Sequence, residues 1–148
     1  MARLPTPSNS VFLDTAYAIA LASATDAYHD RALTLADELE ANRTQLVTTW
    51  AVLLEIGNAL SRIQYRQAAL QLLSLLQHDA SVEIVPLSGP LLQRAVTLYE
   101  ERPDKEWGLT DCISFLIMEE RNIRDALTAD EHFKQAGFRP LLREVALR

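Results

Sequence analysis

Four acidic residues stand where the local pattern calls for an apolar residue or the end of a strand: Asp14, Glu55, Asp111 and Asp130. Asp14 closes the apolar run Val11-Phe12-Leu13, and Asp130 follows Ala126-Leu127-Thr128-Ala129. Glu55 interrupts Trp50-Ala51-Val52-Leu53-Leu54 before Ile56, and Asp111 heads Cys112-Ile113-Ser114-Phe115-Leu116-Ile117-Met118. A carboxylate is costly to remove from water and is almost never fully buried unless it is paired or binds a metal. Each acid alone has a plainer role. Asp14 or Asp130 could cap the helix that follows, Asp111 could favour a helix N-terminus through the macrodipole, and Glu55 could reach out to solvent. All four together have one shared explanation, a divalent-metal site assembled by folding.

The elements needed to bring the four together can be read from the pattern around them. After a flexible arm over residues 1–10, rich in proline and serine, a strand at 11–13 leads into helices near 15–23 and 28–41 and a strand at 45–48. Helices near 50–62 and 66–78 follow, the second with Leu72, Leu73, Leu75 and Leu76 on a wide apolar face. Val82-Glu83-Ile84-Val85 alternates as a strand does. Ser88 and Pro90 open a helix carrying Leu91, Leu92, Ala95, Val96 and Tyr99, which Pro103 ends. The Asp111 helix, a strand at 126–128, a short helix closed by Gly137 and a last strand over 138–142 complete the order. Strands alternating with helices predict a parallel sheet covered on both faces, joined by right-handed crossovers. Asp14 and Asp130 then sit at the carboxyl ends of strands, where open α/β sheets bind their ligands.

Composition bounds the function. A chain of 148 residues, 49% hydrophobic, makes one domain, expected over residues 11–148, with a sizeable core. Fourteen basic against twenty acidic residues give a net charge of −6. There is thus no global attraction for nucleic acid, and an RNA contact must come from local cations or from metal bridging to phosphate. The four glycines, Gly57, Gly89, Gly108 and Gly137, form no phosphate-cradling loop or dinucleotide fingerprint. A single cysteine suits a reducing compartment, and the apolar run around Cys112 predicts a packed thiol. Residues 3–24 faintly imitate a signal peptide, but Asp14 in their middle argues against export. No stretch approaches the roughly 20 apolar residues of a membrane span, so a cytoplasmic protein is expected.

Taken in order, these segments resemble the PIN-domain family and, within it, the VapC-type ribonuclease toxins of toxin–antitoxin pairs. Val11-Phe12-Leu13-Asp14-Thr15 is similar to the family's opening strand and first acid, and Val52-Leu53-Leu54-Glu55-Ile56-Gly57-Asn58-Ala59-Leu60 to the helix that carries the second. Leu109-Thr110-Asp111-Cys112-Ile113-Ser114-Phe115 is similar to the third motif, and Leu127-Thr128-Ala129-Asp130-Glu131-His132-Phe133, followed by Gly137-Phe138, to the fourth. The likeness spans residues 11–142. It implies a three-layer α/β/α fold around a five-stranded parallel sheet of order 3-2-1-4-5. It also implies an endoribonuclease acting on single-stranded RNA, an antitoxin that wraps the domain and fills the acidic site, often with an arginine, and a homodimer through helical surfaces.

Phosphodiester hydrolysis fits such an acid set, because Mg²⁺ or Mn²⁺ held by hard oxygen ligands neutralises phosphate charge and lowers the pKa of a bound water. Asp14, Asp111 and Asp130 are the expected ligands, direct or through water, with Glu55 binding through water or orienting the attacking water as base. Thr15, Thr110 and Thr128 adjoin the acids as supporting hydroxyls, or serve as ordinary caps. Asn58 and Arg62 follow Glu55 at helical spacing and could meet a substrate phosphate or form a solvated stripe. Lys105 and Trp107 precede the third acid, and Trp107 could stack an unpaired base or bury itself against the sheet edge. His29, His78 and His132 lack metal spacing and read as solvated or capping residues. A receiver-like phosphorylation domain would need an adjacent acidic pair after the first strand and a lysine after the last, whereas the chain has Asp14 alone and Arg139 and Arg143. A pure protein-binding module, with the acid cluster degenerate, is the other alternative.

Overall fold

The computed structural model describes residues 10–144, so the arm expected over residues 1–10 lies outside it except for Ser10, which opens the first strand. Five strands, β1 (Ser10–Leu13), β2 (Gln45–Thr49), β3 (Val82–Val85), β4 (Asp125–Leu127) and β5 (Arg139–Pro140), form one sheet. Its order is β3-β2-β1-β4-β5 and every pairing is parallel. Seven described helices flank it in the α/β/α manner: α1 (Thr15–Ala22), α2 (His29–Ala41), α3 (Trp50–Ala59), α4 (Ile63–His78), α5 (Gly89–Glu101), α6 (Leu109–Glu120) and α7 (Glu131–Gln135). β1 lies in the middle, with Phe12 in register with Val47 on one side and Ala126 on the other. That covered position is why Val11-Phe12-Leu13 is continuously apolar rather than alternating.

Two boundaries differ from the sequence expectation. A helix through residue 62 is interrupted, α3 ending at Ala59 and α4 starting at Ile63, with Arg62 in extended conformation at the cap. Gly57, Asn58 and Ser61 are weak helix formers, and three of them in five residues let the chain turn. The last strand is two residues rather than five, because Pro140 has no N–H to donate to the ladder; Leu141–Arg143 coil into a 3₁₀ turn instead. Gly137 stands at φ +95°, where it ends α7 with the Phe138 amide bonded back to the carbonyl of Phe133 at 2.9 Å.

Beneath the strand ends runs a chain of aromatic contacts. Phe12 meets Phe133 at 6.3 Å between centroids, Phe133 meets the edge of Phe115 at 5.0 Å, and Phe115 meets Phe138 at 5.7 Å and Trp107 at 5.0 Å. Phe12 lies two residues before Asp14, Phe115 four after Asp111 and Phe133 three after Asp130, so one apolar cluster sets the relative positions of three acids. Phe133 is fully buried, and Phe133→Ala is expected to destabilise the fold by about 3–5 kcal/mol. A loss of unfolding free energy in denaturant smaller than about 1 kcal/mol would show that the cluster does not hold this end of the sheet together.

Candidate active site

The four acids arrive at the carboxyl edge of the sheet from four elements. Asp14 directly follows β1, and its amide donates to the Leu127 carbonyl at 3.3 Å, so the ends of β1 and β4 meet beneath it. Asp14 is 5% exposed, and its carboxylate does not cap α1. Its Oδ2 accepts instead from the Thr128 hydroxyl at 2.8 Å. Burial pushes the Asp14 pKa up to about 7. The hydroxyl of Thr128 and the amide of Thr15 pull it down, and the charges of Glu55 and Asp111 push it further up. An acid raised this far, next to two other acids, is a place where a cation would be strongly favoured.

Glu55 projects from α3 toward α1, where the Thr15 hydroxyl donates to its Oε1 at 2.6 Å. It stands there because Thr49, at the end of β2, caps α3 by accepting from the Val52 amide at 3.2 Å, so the helix starts without a loop. Thr48 ties β2 to β1 through a bond from its hydroxyl to the Leu13 carbonyl at 2.8 Å. Asp111 opens α6 and accepts the Gly108 amide on Oδ2 at 3.1 Å. Burial raises its pKa, and the Asp130 charge adds to the rise, against the pull of His132 and Gly108. Asp130 caps α7, accepting the His132 amide at 2.9 Å, while its own amide donates to the Thr128 hydroxyl oxygen at 3.1 Å.

Thr128 therefore joins the two halves of the site, donating to Asp14 and accepting from Asp130. The hydroxyl of Thr15 donates to Glu55 and that of Thr128 to Asp14; Thr110 offers its carbonyl, at 2.9 Å, to the hydroxyl of Ser114. Of the two acids expected as possible caps, Asp130 accepts an amide of its helix and Asp14 does not, while Asp111 in the first turn of α6 accepts the Gly108 amide.

His132 is the residue that sequence reasoning missed. Its Nδ1 lies 2.9 Å from Asp111 Oδ2 and 3.4 Å from Asp130 Oδ1. Two carboxylate oxygens around one ring nitrogen are both stabilised only if that nitrogen carries a proton. Asp111, Asp130 and His132 offer ligand atoms all within 4.8 Å of one another. The only signal available in the sequence was the spacing Asp130-Glu131-His132, in which the second residue after a capping acid turns back beside it. The donors are mainly carboxylate oxygens, which suit Mg²⁺ or Mn²⁺ better than a softer cation. Residues and ion thus fit.

The flanking positions divide. Asn58 is exposed one turn after Glu55, whereas Arg62 belongs to the start of α4 and not to the Glu55 helix. Trp107 is 6% exposed and is not a free stacking surface. Its Nε1 donates to Gln135 Oε1 at 3.0 Å, its ring packs against Phe115, and the Arg102 guanidinium covers it at 5.0 Å. An indole beside a glycine in a polar loop finds its apolar partners only when α7 folds back over the loop. Cys112 is fully buried, and burial raises its pKa, so the thiol is a packing group. A basic edge that the acidic composition hides also emerges: Arg124, Lys134, Arg139 and Arg143 line a cavity of about 520 Å³ at the β5 side. Arg139 pairs there with Asp125 at 2.9 Å, and Arg143 pairs with Glu131.

The family model of the PIN domain matches residues 11–139. Among solved structures the chain is similar to VapC20 of Mycobacterium tuberculosis, described as a sarcin-ricin loop cleaving toxin. The two are 26% identical with a TM-score of 0.75, and the match covers 86% of this chain and 95% of that one. A search of curated proteins finds no match. The chain belongs to the PIN domain family.

Proposed function

We propose that this PIN-domain protein is a VapC-type nuclease, a Mg²⁺- or Mn²⁺-dependent endoribonuclease that hydrolyses single-stranded RNA, working in the cytoplasm as the toxin of a toxin–antitoxin pair. The observation that carries the reading is the buried Asp14 carboxylate, raised to about 7 beside the charges of Glu55 and Asp111. Asp14, Asp111 and Asp130 would hold the ion, with His132 at its rim. When bound, the ion polarises the phosphate and lowers the pKa of a water.

The chain's own residues do the rest. Thr128 fixes the rotamer of Asp14, and the Gly108 amide fixes that of Asp111. Thr15 occupies Glu55 Oε1, which leaves Oε2 to accept a proton from the attacking water. Asn58, Arg62 and Lys105 would contact the RNA backbone. A cognate antitoxin would quench the acid cluster with a cationic side chain, and a homodimer would form through helical surfaces. Among the described residues no helix is long and apolar enough to cross a membrane.

The deciding experiment incubates purified, partner-free chain with total cellular RNA, and with the sarcin-ricin loop that VapC20 cleaves, with Mg²⁺, with Mn²⁺ and with chelator, and maps the cut ends. Cleavage that depends on the divalent ion is expected. Cleavage unaffected by chelator would overturn the metal assignment, and failure to bind either cation would favour a partner-binding module instead.

An acidic protein must hold RNA through few contacts. Each phosphate neutralised on a single strand contributes about 0.7 to the log–log salt dependence. A Glu55→Gln variant, still able to bind, should therefore show the shallow slope of roughly two to four contacts, drawn from Arg62, Arg66 and Lys105 together with the metal ions. It should bind a labelled oligonucleotide more tightly with Mn²⁺ than in chelator. Arg66 is oriented by two bonds to the Ser61 carbonyl, at 2.6 and 3.2 Å. A steep slope would move the main footprint to the basic edge around Arg124 and Lys134.

A further inference from the structure

The end of α5 and the loop leading to α6 form an open cavity of about 510 Å³, lined among others by Tyr99, Glu100, Arg102, Lys105, Glu106 and Gly108. Gly108 donates its amide to Asp111 at 3.1 Å, so the wall of this cavity is one hydrogen bond from the acid cluster. Arg102 is held in place by a carboxylate and a ring. Its Nε and Nη2 each donate to a different oxygen of Asp104 at 3.0 Å, and its Cζ lies 5.0 Å from the centroid of the Trp107 ring. The side chain is nevertheless 40% exposed, and Tyr99 nearby is 52% exposed.

Charge decides what such a cavity would accept. Asp104 already neutralises Arg102, and Glu100 and Glu106 take part in no ion pair among the described residues. A phosphate would meet two unpaired carboxylates against the single remaining cation, Lys105. A neutral base would not be repelled. RNA bases stack on arginine planes and aromatic rings, and carboxylates accept hydrogen bonds from exocyclic amino groups. We propose that this cavity is a subsite for the base of a nucleotide flanking the scissile phosphate, with Arg102 and Tyr99 as the stacking surfaces. Glu100 and Glu106 are the acceptors that favour adenine, cytosine or guanine over uracil. The subsite rests on the RNA-cleaving reading and sets where that site cuts.

The chain has two tryptophans, so Trp50→Phe leaves Trp107, on the cavity wall, as the sole reporter. In that background, short single-stranded oligomers of adenylate, cytidylate and uridylate are titrated without divalent ion, and in parallel the cut sites on mixed-sequence RNA are mapped with Mn²⁺. Saturable changes in Trp107 emission are expected, at lower concentrations of the adenylate and cytidylate oligomers than of uridylate. Arg102→Ala should weaken them about fivefold to a hundredfold. Because that change uncovers Trp107, Tyr99→Ala and Glu106→Gln, which leave the cover in place, are tested beside it. Tyr99→Ala should weaken binding, and Glu106→Gln should level the preference in both binding and cut sites. If RNA is cut with the same base preference and KM in Tyr99→Ala and Glu106→Gln, and no oligomer moves the Trp107 signal, the subsite is wrong while the nuclease reading stands. If the parent chain neither cuts RNA nor responds to any oligomer, the nuclease reading falls and the subsite falls with it.

Discussion

Asp14→Asn lowers divalent-dependent RNA cleavage by more than about a hundredfold while the chain stays folded. Loss of a partner that merely supports a metal ligand already costs about 10- to 100-fold in affinity or activity, and Asp14 is proposed as a ligand itself. The substitution is nearly isosteric, and the amide oxygen of asparagine can still accept from the Thr128 hydroxyl, so the strand ends keep their bond. Asp111→Asn should behave alike, since an amide oxygen can still accept from Gly108. Single-turnover cleavage of a labelled oligonucleotide with Mn²⁺, with circular dichroism as a control for folding, measures both. A folded Asp14→Asn or Asp111→Asn protein that cuts at the parent rate would remove that carboxylate from the site.

The metal-free chain loses stability as pH rises from about 4 to about 7, and Asp14→Asn removes most of that loss. The Asp14 pKa is raised from the ordinary 3.8 to about 7 by folding. The folded state therefore binds a proton that the unfolded chain gives up, and the resulting stability is fully present below about pH 4 and gone above about pH 7. At 1.36 kcal/mol per unit the difference is on the order of 4 kcal/mol, and Asp111, raised in the same direction, adds to it. The acids lowered by surface partners, Asp79, Glu83 and Asp104, act with the opposite sign. The informative quantity is therefore the difference between parent and Asp14→Asn melting curves in chelator. At pH 7.5 the variant should melt at or above the parent. Mn²⁺ at a hundredfold excess over its dissociation constant should restore about 2.7 kcal/mol to the parent and much less to the variant. A difference between parent and Asp14→Asn that stays flat across this pH range would mean that Asp14 is not held protonated by the fold. A metal-free Asp111→Asn chain melting far below the parent would mean that Asp111 acts as a cap for α6 before anything else.

Much of this protein can be read from local chemistry. The positions of Asp14, Glu55, Asp111 and Asp130 were legible because each breaks an apolar pattern, and such a break is visible to its immediate neighbours in the chain. The alternation of strand and helix likewise implied a parallel sheet covered on both faces, since period and length are local properties. Strand order needed the family likeness, because nothing in a strand's own residues states which strand lies beside it.

Tertiary structure alone decided the rest, wherever a residue's role depends on groups distant in sequence. Asp14 is set apart from the other acids by its burial and by Thr128, 114 residues away. His132 enters the cluster because α7 turns its ring onto Asp111, and Trp107 leaves the surface because Gln135, Phe115 and Arg102 close around it. The net charge of −6 concealed the basic edge at β5, because composition sums over a surface that folding sorts into regions. Carboxylate spacing and desolvation, which set the pKa values and the fit to a cation, are distances through space, and they come into being only when β1, α3, α6 and α7 converge.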